Sequence, residues 1–550
     1  MVLRSFHIRL LWHTFKRSLH TPKIRNILLL IPIFATFMIG TAACDTEPKT
    51  SFRIIGGSEL KDLKDTGLLD WLSRQSGVNI ELVESGSLAA VETIALDGHD
   101  FDGLWIPNGF YLEAFRDQIP HAPTTYERIF MSPVIPAVQR SVAESLGWLT
   151  ADGSARADLS WNDVREAATA ERLKLYITHM QSSNSGALGV LSMMQSYLNT
   201  ADPLTAQDLG NAQMIRSMQN FFMHGIQKTS GSSGWLADIF FKEHGQAIIN
   251  YENVLAALNQ KGADLVLLYP KDGVFIADYP FYLINEAKKE AYDKIVSVML
   301  SESFQKQAME KTFRRPFRLT LNGDEKPGGI DMARQFNTYA MPAEGKVLKE
   351  AIHLYTEVVR KPSDIVFVID VSGSMQGQRI DEVKQSIKNL LGDDLTFSGQ
   401  IARFTQKDKV TFIRFNHTVY PPFTVDIQGE GDLTTIRTFV ENELTTGGKT
   451  AIYSALAEAL KSLDVSSEYY PSIVLLTDGE HNSGISMKDF KKQYADFVQR
   501  TNRKVPIYTI LYGEASSQEL EDIADISGGK MFDGKKEPLQ QIFKEVRGYN

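Results

Sequence analysis

The run Asp364-Ile365-Val366-Phe367-Val368-Ile369 has no polar side chain after its first residue and is followed at once by Asp370-Val371-Ser372-Gly373-Ser374. A β-branched apolar run bounded by polar residues reads as a strand buried on both faces, the position of a central strand in a parallel sheet. Its carboxyl end presents three hard oxygen side chains at alternate positions, Asp370, Ser372 and Ser374. In open α/β sheets ligands bind at that end of a strand. One carboxylate with two hydroxyls is a poor cage for Ca²⁺ and suits Mg²⁺ or Mn²⁺, which keep several waters and accept outside ligands. Taken alone, the same residues also fit a plain helix start, with a Ser capping a helix from about Gln378.

Two further features favour the metal reading. Gly447-Gly448-Lys449-Thr450 runs into Ala451-Ile452-Tyr453-Ser454, a glycine loop that delivers a Thr hydroxyl to a helix start. Ile473-Val474-Leu475-Leu476-Thr477 is a second buried strand, with Asp478-Gly479 at its end. The set resembles the von Willebrand factor A (VWA) domain and its metal-ion-dependent adhesion site. That resemblance implies Asp370, Ser372, Ser374, Thr450 and Asp478 as the five site positions and Mg²⁺ (or Mn²⁺) as the ion. It extends to strands expected at 409–415 and 505–511 and to the ending Leu520 to Gly529, and covers residues 362–550. Ser372, Ser374 and Thr450 are neutral donors that leave the ion's charge largely uncompensated, while Asp370 and Asp478 are expected to act through hydrogen bonds or bound water. In the family, an Asp or Glu carboxylate from a protein partner completes the shell.

A phosphate-binding loop is a competing reading of Thr446-Gly447-Gly448-Lys449-Thr450, but the G-x-x-x-x-G-K-[ST] pattern needs a glycine where this chain has Glu443. A carboxylate there would repel a nucleotide phosphate, and residues 437–443 look helical rather than strand-like.

The amino end carries Arg4, Arg9, Lys16, Arg17, Lys23 and Arg25, with no acid before Asp45, and then an apolar run from Ile27 to Ala43. These are the marks of an export signal. Cys44 is the only cysteine of the 550 residues, so no intramolecular disulfide exists. Thr41-Ala42-Ala43-Cys44 resembles the lipobox of bacterial lipoproteins, which implies lipidation of Cys44 and a chain held on the extracytoplasmic face of a membrane. Thr41 departs from that pattern, and an uncleaved signal anchor is the alternative.

Between the leader and the metal-site strand, short apolar strands alternate with helices. Phe52-Arg53-Ile54-Ile55, Asn79-Ile80-Glu81-Leu82-Val83 and Phe101 to Trp105 each precede a small, polar turn. This is the βα rhythm of a parallel sheet. With Ser132 to Val138, Ser182-Ser183-Asn184-Ser185-Gly186, Ala247 to Glu252 and Tyr269 to Gly273, it resembles bacterial extracellular solute-binding proteins of the type 2 periplasmic-binding fold. Ser132 to Val138 has the look of the crossover into a second lobe, and Ser182 to Gly186 of a loop opening a helix whose free N–H groups hold a polar ligand. The candidate cleft residues are Ser58, Glu59, Ser85, Ser87, Ser183, Ser185, Tyr251 and Glu252, against the plainer reading that tight βα loops simply require Ser and Gly. Trp105 is expected to be buried, residues 285–311 to form a solvated amphipathic helical stretch, and Arg314-Arg315-Pro316-Phe317 to be a basic surface turn.

The fold class expected is α/β: a two-lobed periplasmic-binding-protein-like module, then a doubly wound parallel-sheet, Rossmann-like VWA domain. The boundaries are 1–43 for the leader, 44–51 for a tether, 52–344 for the module, 345–361 for a linker helix and 362–550 for the VWA domain. A net charge of −9 argues against a nucleic-acid partner. The expected function is a membrane-tethered binding or adhesion protein that grips an acidic protein partner through a metal, with a second module for a small-molecule solute or for docking. The alternative is the solute receptor of an ABC-type transporter. Catalysis is the weakest reading: G-x-S-x-G, H-E-x-x-H and C-x-x-C are all missing from the sequence.

Overall fold

The computed structural model describes residues 50–547, apart from 97, 98, 322, 467 and 514–516. The leader and Cys44 lie outside the described residues. The described residues belong to one compact unit. Among the described residues, no helix is long and apolar enough to cross a membrane.

The first module is built on two sheets. One has the strand order Asn79–Ser85, Ser51–Gly57, Gly103–Trp105, Pro280–Leu283, Tyr126–Arg128. Its first three strands are parallel, and the later two are antiparallel additions. The other centres on Phe130–Gln139, which pairs antiparallel with Ala247–Tyr251; Leu175–Thr178 and Ile226–Ser230 extend it in parallel. The chain passes between the sheets three times: after Arg128, between Ile276–Ala277 and Pro280–Leu283, and again before Arg315–Pro316, which pairs with the start of Phe130–Gln139, so that two lobes result. Arg128 and Asp278, on the first and second of these crossings, form an ion pair at 2.7 Å.

Arg314 and Arg315 are not on the surface; both are buried. Arg314 donates to Asp62 at 2.5 Å and to the Glu59 carbonyl at 3.0 Å, and its guanidinium lies over the Tyr279 ring at the second crossing. Arg315 forms a two-pronged ion pair with Glu252 at 2.7 and 2.8 Å. A buried guanidinium is tolerated only when paired in this way. The stretch 285–311 is two helices, Lys289–Met299 and Glu302–Thr312, broken at Leu300-Ser301, where Ser301 caps the second by accepting from the Phe304 N–H. Trp105 is buried, stacked on Phe130.

The C-terminal domain is a six-stranded sheet in the order Phe423–Asp426, Asp408–Phe415, Ser363–Asp370, Tyr470–Thr477, Ile507–Leu511, Met531–Asp533. All neighbours are parallel except the first pair. Every residue of Ser363–Asp370 is buried. Ile365, Phe367 and Ile369 enter the core on one face, and Val366 and Val368 the core on the other, as period-two alternation requires in a sheet covered on both sides.

The segment expected as a linker is part of the first module's core. Helix Gly345–Leu354 and the turn Tyr355–Val359 bury Val347, Leu348, Ala351, Ile352, Tyr355 and Val359 there, and Tyr355 Oη meets His179 Nδ1 at 2.7 Å. The modules also exchange aromatic rings. Phe397 of the C-terminal domain stacks on Phe115 with centroids 4.5 Å apart, and Trp235 of the second lobe packs against the C-terminal domain's core.

Arg360, Asp408 and Arg547 form a buried triad at this junction. Arg360 donates to Asp408 at 2.9 Å, and Arg547 donates at 3.2 and 2.8 Å. Burial alone would raise the Asp408 carboxyl, but the two guanidinium groups outweigh it and hold it below the usual carboxylate range. Asp408→Asn keeps the shape and leaves two buried cations without a counter-ion. Urea unfolding is expected to show a loss of about 3–5 kcal/mol; a loss under about 1 kcal/mol would mean the triad does not hold the junction.

Candidate metal centre

Four segments at the carboxyl edge of the C-terminal sheet bring the expected site residues together. Asp370 ends the central strand and is buried, and its two oxygens are turned inward. Oδ1 accepts from the Ser372 N–H at 2.7 Å and Oδ2 from Thr477 Oγ1 at 2.6 Å. Burial pushes the Asp370 carboxyl above the usual range, and the bonds from Thr477 and Ser372 pull it part of the way back. The Ser372 and Ser374 hydroxyl oxygens lie 3.0 Å apart, and Ser374 donates to Asp478 Oδ1 at 2.7 Å. Thr450 Oγ1 and Ser374 Oγ converge over Gly479, at 3.3 and 3.7 Å from where a Cβ of residue 479 would stand.

The glycine loop is fixed by backbone bonds to the central strand's extension. Gly447 N–H donates to the Val371 carbonyl at 2.8 Å, and Gly373 N–H to the Gly448 carbonyl at 3.1 Å. Gly448 has φ +90°, and a Cβ there would stand 2.4 Å from His417 Nδ1, so only glycine fits. Asn416 donates to the Gly447 carbonyl at 2.6 Å, and Asn482 accepts from the Thr450 N–H at 2.9 Å. Sequence reasoning assigned no role to Asn416, Asn482, Thr477 or Arg379. Asn416 directly follows strand Asp408–Phe415 at the ligand-binding edge, a position that could have flagged it.

The donor set fits a small hard cation. The hydroxyls of Ser372, Ser374 and Thr450 are oxygen donors of the kind Mg²⁺ and Mn²⁺ prefer, and Ser374 is exposed. Asp370 and Asp478 are committed to neighbours and would orient those hydroxyls rather than surround an ion. Among the described residues there is no cluster of three or more His, Cys, Asp or Glu that could hold a metal, so the site is poor in charge.

The cleft residues expected in the first module divide. Ser58 and Ser85 line a cavity of about 280 Å³ between the lobes, with Ser182, Ser232 and Trp235. Ser58 and Ser232 hydroxyls meet across the lobes at 3.4 Å. The C-terminal domain forms the remaining wall, through Ile401, Lys544 and their neighbours. Ser183 and Ser185 are buried at the start of helix Asn184–Leu198, their hydroxyls bonded to each other, with Ser185 also bonded to Thr178. Ser87 and Tyr251 are buried at helix starts and are not in the cavity wall. Glu252 is not a cleft residue: both its oxygens are taken by Arg315, and Oε1 also accepts from Tyr269 at 2.5 Å. Its partner lies 63 positions away, so nothing local in the sequence marked it as a structural acid.

Glu59 is buried, with Oε1 lacking a hydrogen-bond partner. Burial raises its carboxyl to about 7, against its own backbone hydrogen bond and the Arg314 guanidinium.

Residues 364–545 match the family model of the von Willebrand factor type A domain, so the C-terminal third of the chain carries that domain. Inter-alpha-trypsin inhibitor heavy chain H3 of Mesocricetus auratus is 28% identical over 210 residues, covering 35% of this chain and 21% of the relative. The Bos taurus protein of the same name is 30% identical over 161 residues, covering 28% and 16%. The chain thus spans about a fifth of the length of the curated relatives it matches. Similar solved structures include the sulfate-binding protein SubI from Mycobacterium tuberculosis (TM-score 0.38, 16% identity, 48% of this chain and 87% of that one). They also include a ferric binding protein from Campylobacter jejuni (0.42, 12%, 55% and 98%) and a von Willebrand factor type A structure from Catenulispora acidiphila (0.27, 21%, 35% and 43%).

The Glu59 carboxyl is raised in the folded chain, so its contribution to stability is complete below about pH 4.5 and is lost as pH rises through about 7. Between pH 5 and pH 8 the wild type is expected to lose up to about 3 kcal/mol relative to Glu59→Gln in urea unfolding. Parallel stability curves for the two proteins would contradict this.

Proposed function

We propose that this chain is a binding protein that grips an acidic protein partner through Mg²⁺ or Mn²⁺ held by Ser372, Ser374 and Thr450. The observation that carries the reading is the division of labour at the sheet edge: carboxylates turned inward onto hydrogen-bond donors, and three neutral hydroxyls gathered beside them, Ser372 and Thr450 buried and Ser374 exposed. A divalent ion bound by such donors keeps most of its charge and an open position, which a partner's Asp or Glu carboxylate would fill. The polypeptide itself provides orientation of the hydroxyls and a loop clamped by Asn416 and Asn482.

The first module is read as holding a small polar molecule in its interlobe cavity. The C-terminal domain touches both lobes, stacking Phe397 on Phe115 of one and accepting from Gln181 of the other at the Ile401 carbonyl. That arrangement argues against the transporter-receptor alternative, because a domain bridging both lobes restrains their opening. Export and attachment to a membrane through Cys44 complete the reading, on the sequence of the amino end.

Two measurements test it. With the full chain, Mg²⁺ at about a hundredfold over its Kd is expected to add roughly 2.7 kcal/mol of stability. Ser372→Ala should remove that gain, and a wild type indifferent to both Mg²⁺ and Mn²⁺ would end the metal reading. For the anchor, cells fed a labelled fatty acid should label the wild type and leave Cys44→Ser unlabelled; equal labelling would refute lipidation at Cys44.

A further inference from the structure

Asp478 has no free oxygen at the candidate metal centre. Oδ1 accepts from Ser374, and Oδ2 accepts from Arg379 Nη1, which also donates to the Ser374 carbonyl at 3.2 Å. Arg379 stands in the first turn of helix Gln378–Lys388, which the chain enters through Gly377 at φ +84°. Its guanidinium lies against Gly513 at φ +65°, where a Cβ would stand 3.0 Å from both Cζ and Nη1 and 2.9 Å from the Asp478 Cβ. Three segments therefore shape a slot for this one cation. The Asp478 carboxylate is fully buried and the Arg379 side chain about one-third exposed, so the positive charge is placed on the solvent side of the pair.

We propose that Arg379 is a positioning residue of the metal centre, neutralising Asp478 and so lowering the site's affinity for a divalent ion. This rests on the reading that Ser372, Ser374 and Thr450 take such an ion. Two carboxylates, Asp370 and Asp478, sit at the site, and one is matched by a guanidinium, so an arriving ion meets a net charge of one rather than two. A like charge close to the ion opposes its binding, while the same charge leaves the bound ion short of negative partners. An external carboxylate supplies what is missing.

The test is Mn²⁺ binding to the full chain, followed by the electron paramagnetic resonance signal of free Mn²⁺. Arg379→Gln is expected to bind about tenfold tighter than wild type, and Arg379→Lys, which keeps the charge, within about threefold of it. In an Asp478→Asn background, Arg379→Gln should still tighten binding relative to Asp478→Asn alone, since the guanidinium's own charge opposes the ion with or without its partner. A residue that merely supports the fold would give weaker binding on removal, so the direction of change separates the two roles. Unchanged or weaker Mn²⁺ binding by folded Arg379→Gln overturns the proposal. Should that variant not fold, Arg379→Met is judged by the same criterion. If wild type binds Mn²⁺ and the variant binds no tighter, this inference alone fails; if neither binds, the metal reading fails with it.

Discussion

A single buried carboxylate, Asp408, fixes how the two halves of the chain meet. It stands at the start of a strand next to the central one and takes Arg360 from the segment leaving the first module and Arg547 from the last helix. Each guanidinium is further tied to backbone carbonyls, Arg360 to Thr356 and Lys361, Arg547 to Ala402 and Arg403. Charges this deep are stable only as a complete set. With the set complete, helix Leu539–Arg547 and the short helix Phe397–Ala402 lie over the interlobe cavity, and Lys544 reaches Glu92 of the first module at 3.3 Å and Asp394 at 2.7 Å. The cavity therefore belongs to both halves.

The same economy of charge shapes the candidate metal centre. Its carboxylates are used as acceptors for Ser372, Thr477, Ser374 and Arg379, which leaves the hydroxyls of Ser372, Ser374 and Thr450 as the uncharged oxygens of the candidate site. A site assembled from inward-facing acids would cage its ion and have no use for a partner. On the proposed reading, neutrality around a bound cation would have to be reached from outside.

Much of this was legible in the amino-acid order because the decisive signals are local. A strand buried on both faces must be a continuous apolar run, so Ser363–Asp370 and Tyr470–Thr477 announce themselves, and the residues just past their ends form the candidate site. The βα rhythm of the first module is legible for the same reason. What could not be seen is whatever depends on a distant partner. Arg314 and Arg315 look like a surface turn until Asp62, 252 positions away, and Glu252 are placed beside them. Glu252 looks like a cleft acid for the same reason. Arg379 is one basic residue in a polar helix start until the strand ending at Thr477 and the turn at Gly513 close around it. The exchange of Phe397 and Trp235 between the halves leaves no local trace, since an aromatic residue in either core reads alike.

The central claim is a cation bound by neutral hydroxyls at the sheet's carboxyl edge with a coordination position left over. An anomalous difference map from crystals of the full chain grown with Mn²⁺ tests it most directly. The account predicts one peak in contact with the hydroxyls of Ser372, Ser374 and Thr450 and open to solvent on its outer side. No peak there, or a peak enclosed wholly by oxygens of this chain, would contradict it.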